Sequence, residues 1–309
     1  MEKHMDDLST RVKNCPPYQR HQLAAEMREL GVSLELYADQ LMDGCAPEFH
    51  YSLAYELNKA GISLVPYAAT LINGNNSWQM HSLTDVLHES GVDLNPHAEA
   101  IILGCDPVYY PRLVWGLRKA EVRLEPHVAL LVHRCSIEQY HNLINELHAA
   151  DINLTPYVPL MLSTCDPEYL MPVVRSLNEA GVSFKSYVPT LISRCPPGDI
   201  PELIYQLTKA GVELSPYMRA LIRTSDCCYY EFLVFALHAS GVSVDSLVDV
   251  LIKGCDQNNV HNLASALHRC GVNLKPYVKP LFDRCSKAHD YELLEVLRKA
   301  GVVQFPVSN

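Results

Sequence analysis

The apolar positions of this chain recur in a fixed register. Segments such as LGVSLELYADQLMDGC, AGISLVPYAATLINGN, SGVDLNPHAEAIILGC and ADINLTPYVPLMLSTC align without insertion or deletion, and a turn residue falls at 31, 61, 91, 121, 151, 181, 211, 241, 271 and 301. A period of 30 held along 309 residues marks a tandem array rather than the two domains that length alone suggests. Counting position 1 at the recurrent cysteine, repeats 1 to 10 open at residues 15, 45, 75, 105, 135, 165, 195, 225, 255 and 285. Leu at positions 9 and 13 (Leu53 and Leu57, Leu113 and Leu117, Leu203 and Leu207), with a small residue at 16, lies on one face of a short helix, helix A. Gly at position 17, followed by Val or Ile, closes that helix in a left-handed turn. Pro111 and Pro201 at position 7, and Pro172 at position 8, fix its start. Inside a helix each would remove a hydrogen bond and clash, costing about 3 kcal/mol, so they belong to the first turn. Stretches such as CDPVY and CDPEY ahead of them then form a tight turn or short 3₁₀ segment, leaving helix A about ten residues.

After the glycine, an extended Val-x-Leu leads to a polar residue and Pro-Tyr or Pro-His, as in Asn95-Pro96-His97 and Ser215-Pro216-Tyr217. The polar residue reads as an N-cap and the proline as the first residue of helix B. Apolar residues at 24, 27 and 28 (Val158, Met161, Leu162) give helix B, about nine residues long, its buried stripe. Helices this short are marginal alone, so the repeats must stack. The expected fold is all-α, a two-layer α-solenoid of the right-handed type with about ten 30-residue helix-turn-helix repeats. One continuous array over 1-309 is expected: a capping half-repeat at 1-14, nine full repeats at 15-284 and a second capping half at 285-309. Arg11 at an otherwise apolar position, and the tail VVQFPVSN, mark the ends.

The helix-turn-helix unit and its recurrent xGVxLxPYVxxLIxxC string resemble the α-solenoid class that includes HEAT, armadillo, TPR and ankyrin arrays. The likeness covers nearly the whole chain and is architectural. The TPR pattern and the ankyrin T-P-L-H signature are absent, and a period of 30 is short for HEAT or armadillo units. Such unbroken regularity is also similar to that of repeat proteins that intracellular bacterial pathogens deliver into host cells. That similarity implies an effector acting in a host cytosol.

Charge narrows the partners. With 25 Lys and Arg against 35 Asp and Glu, the net charge of -10 opposes binding to a phosphate backbone. No apolar run approaches the roughly 18 residues that span a bilayer, and MEKHMDDLSTRVKN lacks the apolar stretch of a secretory signal. A chain without membrane contact is expected.

Eleven cysteines raise the question of a disulfide scaffold, but eight occupy position 1: Cys15, Cys45, Cys105, Cys135, Cys165, Cys195, Cys255 and Cys285. Stacked repeats hold equivalent positions roughly 8 to 10 Å apart, too far for a disulfide. They read as a buried ladder of small residues, with Asn75 and Ser225 as substitutes, in a reducing compartment such as the cytoplasm. Adjacent Cys227 and Cys228 have neither zinc nor redox spacing. Histidines follow the register too, at position 7 (His21, His81, His141, His261) and position 14 (His88, His148, His238, His268). His141 and His148 lie about 10 Å apart along a helix, too far to share a metal. Basic residues at position 14, Arg118 among them, suit the last carbonyls of their own helix. The Tyr and His ladder at position 23 reads as packing between repeats with a polar tip. No nucleotide-binding, zinc-protease or serine-hydrolase motif occurs. No catalytic residue, metal or cofactor is therefore expected, and the chain is read as not an enzyme.

What varies is the helix A surface opposite the core, at positions 8, 11 and 15. Position 11 carries Tyr55, Trp115, Arg175, Tyr205 and Phe235, and position 8 carries Arg112 and Phe232. Aromatic residues and Arg are the types enriched as interface anchors. These seven are the expected partner-binding residues of a monomeric interaction scaffold that takes a protein or extended peptide along this face. Packing against the neighbouring helix A is the plain alternative for the aromatics. A modular nucleic-acid reader, one base per repeat, is the competing function, and an enzyme using the His-rich edges of helix A is a third. Glu121 and Asp151 replace the turn glycine at a cost of roughly 1 to 2 kcal/mol if the left-handed turn is kept, so a bend is expected beside Arg112, Trp115 and Arg175. Repeat 8 is also irregular, with Ser225, Ser246 and Leu247 replacing Cys, Pro and Tyr.

Overall fold

In the computed structural model, which describes residues 2–75 and 77–303, each of repeats 1 to 9 builds two helices, in most cases from two 3₁₀ turns. In repeat 4 the turn Pro107–Tyr109 runs into helix A, Tyr110–Lys119, and the turn Glu125–His127 runs into helix B, Val128–Arg134. Other repeats follow this plan with small departures, such as an ordinary turn in place of the 3₁₀ segment at 257–259. Among the described residues there is no strand, and no helix is long and apolar enough to cross a membrane.

The chain forms two compact units, Met1–Thr164 and Cys165–Asn309. Within each, helix A packs on the helix A of the next repeat, helices B pack on one another, as Ala68–Gly74 does on Ala98–Gly104, and helix A rests on helix B of its own or of the preceding repeat. Each unit is thus a two-layer α-solenoid. The first helix, Glu2–Asn14, is longer than any other helix B, and its Val12 is fully buried. Arg11, beside that core position, turns outward and meets the Glu26 carboxylate at 2.6 Å. Repeat 10 is described through its helix A, Asp290–Lys299, and its turn. Residues 304–309, the rest of the expected C-terminal capping half, lie outside the described residues.

Proline places helix A as expected. Pro111 and Pro201 are second in their ten-residue helices, Pro172 is third, and the CDPxY segments form the 3₁₀ turns. Helix B begins differently from the reading above. The polar residue before the proline opens a 3₁₀ turn instead of capping a helix, and the α-helix that follows has seven residues. Capping falls two residues earlier. Side chains of Asp93, Asn153 and Asn273 accept the backbone N–H of Asn95, Thr155 and Lys275 at 3.0, 3.1 and 3.1 Å. Asn95 itself reaches the next repeat, its Oδ1 accepting the Arg123 N–H at 3.0 Å.

Position 17 is left-handed throughout. Gly271 has φ 82°, its N–H meets the His268 carbonyl at 2.9 Å, and the Val272 N–H meets that of Leu267 at 3.0 Å, the paired bonds of a Schellman closure. Glu121 and Asp151 take the same conformation, φ 56° and 58°, with the same bonds at 2.9 to 3.1 Å. The turn is kept and the residue accepts the strain, so these substitutions leave the local closure unaltered.

Leu113, Leu117 and Leu131 are completely buried, as the apolar stripes require. A further core contact pairs position 6 with position 30 of the same repeat. Where position 30 is Gly44, Gly74, Gly104 or Gly254, an added Cβ would collide with Arg20, His50, Met80 or Tyr230. Where position 30 is larger, the partners bond instead: Arg134 Nε donates to Tyr110 Oη at 3.0 Å, and Tyr140 Oη lies 2.7 Å from Thr164 Oγ1. Tyr110, Tyr140 and Tyr230 also donate their hydroxyls to the carbonyls of Ile102, Val132 and Ile222, so buried phenols leave no unmet donor.

The cysteine ladder is buried over most of its length and every described cysteine is a free thiol. Cys135 and Cys165 donate to the next carbonyl at 3.3 Å. Burial pushes Cys45 and Cys165 up to about 11, and Cys105, Cys135, Cys195 and Cys255 up to about 12, so none is a nucleophile at neutral pH.

Candidate functional site

Helix A presents position 11 outward in each solenoid because positions 9, 10 and 13 are taken by the core. Cross-links between successive helices A stiffen this face. Position 14 reaches position 12 of the next repeat: Arg28 Nε meets Glu56 at 2.7 Å, Arg118 meets Glu146 at 3.4 Å, and Asn178 Nδ2 donates to Gln206 Oε1 at 3.0 Å. Arg118 does bond a terminal carbonyl, but it is that of Ala149 on the neighbouring helix, at 3.4 Å, not one of its own. The expected helix-end role is thereby replaced by a link between repeats. Position 11 reaches position 8 of the next repeat in the same way, with Asp85 to Arg112 at 3.7 Å and Arg175 to Glu202 at 3.3 Å.

Three position 7 histidines stack on position 5 of the following repeat. Ring centroids are 4.5 Å apart for His21 and Phe49, 4.9 Å for His81 and Tyr109, and 4.8 Å for His261 and His289. Burial lowers the pKa of His21, His81 and His261, and of His50 under Gly74. These imidazoles are neutral packing groups. The position 23 ladder has its polar tips paired between repeats in places, with Tyr67 Oη 2.5 Å from Asp39 Oδ1.

The seven residues singled out from the sequence divide by environment. Trp115 is half-buried between two cations of its own helix, Arg112 at 4.6 Å and Lys119 at 5.7 Å from the ring centre. Tyr55 is exposed beneath Lys59 at 4.5 Å, and Phe235 is half-buried beneath Arg269 of the next repeat at 4.7 Å. Tyr205 is 58% exposed and Phe232 51%, the latter tilted against Tyr229 at 6.2 Å. Arg175 is exposed and paired with Glu202.

Two grooves follow from this arrangement, one in each compact unit. In the first unit Pro111, Arg112, Trp115, Asn142, Asn145 and Glu146 line about 340 Å³ between the helices A of repeats 4 and 5. In the second, Tyr205, Thr208, Lys209, Ala236, Ala239 and Ser240 line about 330 Å³ between those of repeats 7 and 8, where small residues on one helix leave room beside a large aromatic on the other. Arg112 and Trp115 therefore share one groove and Tyr205 borders the other, while Tyr55 and Arg175 border neither.

Sequence reasoning passed over the cations at position 15, Lys119 and Arg269, which pack on the aromatic rings. Their signal was present: an aromatic at i with Lys at i+4 recurs in Tyr55–Lys59, Trp115–Lys119 and Tyr205–Lys209. It set aside Cys227 and Cys228 of repeat 8 on their spacing, without the carboxylate beside them. Ligand atoms of Asp226, Cys227 and Cys228 lie within 4.8 Å of one another. No family model matches the chain, and comparison with curated proteins finds none similar to it.

Proposed function

We propose that this protein is a non-catalytic interaction scaffold whose helix A face binds an extended segment of a partner protein. The observation that carries this reading is the set of accessible aromatics on a cross-linked repeat face, with Tyr55, Trp115 and Phe235 each beside a cation and Trp115 and Tyr205 bordering grooves. Large aromatic side chains give contact area at small entropic cost, and grooves between rigid helices give that area a defined shape. Cross-links such as Arg118 to Glu146 and Asn178 to Gln206 hold the helices in place, so little ordering remains to be done on binding. The cations beside the rings favour a segment that combines apolar anchors with acidic residues. The reading includes a monomer in a reducing compartment, either the cytoplasm of the producing cell or, for a delivered effector, a host cytosol. The free thiols support such a compartment.

The test is selection of binding peptides from a display library, followed by fluorescence anisotropy with purified variants. Trp115→Ala or Tyr205→Ala is expected to weaken a selected peptide at least tenfold, about 1.4 kcal/mol, with the circular dichroism unchanged. Peptides that bind both variants as well as the wild type would refute it. The Arg112, Trp115 and Lys119 stack could also receive a base, and this favours a second reading, single-stranded nucleic acid. Asp85 and Glu146 beside it and a net charge of -10 count against that reading. Binding of a labelled oligonucleotide that falls steeply with salt would support it instead.

A further inference from the structure

Repeat 8 breaks the cysteine register in a particular way. Position 1, cysteine in most repeats, is Ser225, while positions 3 and 4, cysteine in no other repeat, are Cys227 and Cys228. Position 3 elsewhere is most often proline, as in Pro47, Pro107, Pro167 and Pro197, where it opens the 3₁₀ turn. These two thiols therefore take no part in the buried ladder. Cys227 is half-buried and Cys228 exposed, and both are free.

The backbone holds a carboxylate over them. Asp226 Oδ1 accepts the Cys228 N–H at 2.9 Å, the same turn that Asp106 makes with Val108 and Asp256 with Asn258. In those repeats the carboxylate faces a valine or an asparagine at position 4; here it faces a thiol. Asp226 Oδ1 is committed to the turn, and the Cys227 and Cys228 thiols stand beside the same carboxylate. A tetrahedral ion with sulfur at about 2.3 Å and oxygen at about 2.0 to 2.2 Å holds its ligand atoms roughly 3.5 to 3.8 Å apart. Atoms already within 4.8 Å on an exposed turn need only side-chain rotation to reach that spacing.

We propose that Asp226, Cys227 and Cys228 form a three-ligand site for a thiophilic divalent cation of the zinc class. Two thiolates and a carboxylate supply charge and softness, and the fourth position stays open to water or to an outside ligand. On binding, each sulfur forms a bond to the ion and its proton passes to solvent, two protons per ion, with no change of oxidation state.

The probe is cadmium, added to the reduced, chelator-treated full chain, with the ultraviolet thiolate-to-metal charge-transfer band as readout and zinc competition as a second arm. The expected result is one ion per chain, displaced by zinc. The band should be lost in Cys227→Ser and in Cys228→Ser, and Asp226→Asn, which can still accept the Cys228 N–H, should bind at least tenfold more weakly. Cys270→Ser, a change at a cysteine outside both the group and the ladder, should behave as wild type, and circular dichroism confirms that each variant is folded. No saturable band, or a band that persists in Cys227→Ser and Cys228→Ser, would overturn the proposal.

Discussion

Restoring glycine at Glu121 should make the protein more stable, although it removes a whole side chain. Glu121 sits at φ 56° in the closure that eight glycines occupy elsewhere at φ 68° to 82°. A Cβ added at any of those eight glycines would meet nothing within 4 Å, so the position selects on backbone conformation alone. Holding an L-residue in the left-handed region costs about 1 to 2 kcal/mol. Glycine loses more freedom on folding, which offsets about 0.4 to 1 kcal/mol of that gain. The Glu121 side chain is exposed, so its removal forfeits no packing. The net expectation is a gain of about 0.5 to 1 kcal/mol for Glu121→Gly. Asp151→Gly should gain less, because aspartate tolerates this conformation better. In urea denaturation followed by circular dichroism, a slope of about 2 kcal/mol/M converts the gain into a midpoint rise of about 0.2 to 0.5 M. The reverse change, Gly91→Ala, should lower the midpoint. A Glu121→Gly midpoint equal to or below the wild type, with the slope unchanged, would refute the strain argument.

Other expectations concern the core and its titrating groups. Gly254→Ala should destabilise by about 1 to 3 kcal/mol, because the new methyl lies 2.8 Å from Tyr230 Oη; adding Tyr230→Val, the residue that repeat 9 carries there as Val260, should recover much of the loss, and a double variant no better than the single would count against the pairing. Burial lowers the pKa of His21, His50, His81 and His261 below the ordinary 6.5, so the unfolded chain binds more protons below that value. Their contribution is whole above about pH 6.5 and is lost as the pH falls toward the folded values; thermal melting should show this slope, and His81→Tyr, which keeps a ring as Tyr51 does in repeat 2, should reduce it. A stability that is flat or rising down to about pH 5 in the wild type would contradict this sign. With a slow thiol reagent on the native protein, exposed Cys228 should be modified before Cys105 or Cys135, and mass mapping that finds the ladder thiols first would show that they are not buried.

The parts of this fold that could be read from sequence are those that one residue fixes locally. Pro111, Pro172 and Pro201 can stand only in a first turn, and glycine at position 17 only after a last one, so helix A was bounded at both ends. Its outward face followed from angular spacing alone. Helix B was less determined because proline suits the start of a 3₁₀ turn as well as that of an α-helix, and the capping side chain, Asp93 or Asn153, sits earlier than the pattern suggests. Contacts between non-adjacent positions were hidden. Nothing in Tyr230 or Gly254 taken singly shows that they touch, and Arg118 could not be seen to prefer Glu146 over its own carbonyls until the next helix was in place. The same holds for repeat 8, where adjacent cysteines carry little meaning until the turn brings Asp226 beside them.

The central claim is that the helix A face is where a partner binds. Hydrogen exchange read by mass spectrometry, with and without a selected peptide, tests it directly, provided the peptide binds as tightly as the anisotropy assay requires. The account predicts slowed exchange in helix A segments at Tyr110–Lys119 or Ile200–Lys209, abolished in Trp115→Ala or Tyr205→Ala respectively, with helix B segments unchanged. Protection confined to helix B, for example along Val188–Arg194 and Met218–Thr224, where Pro189, Ile192 and Tyr217 line a groove of their own, would contradict it.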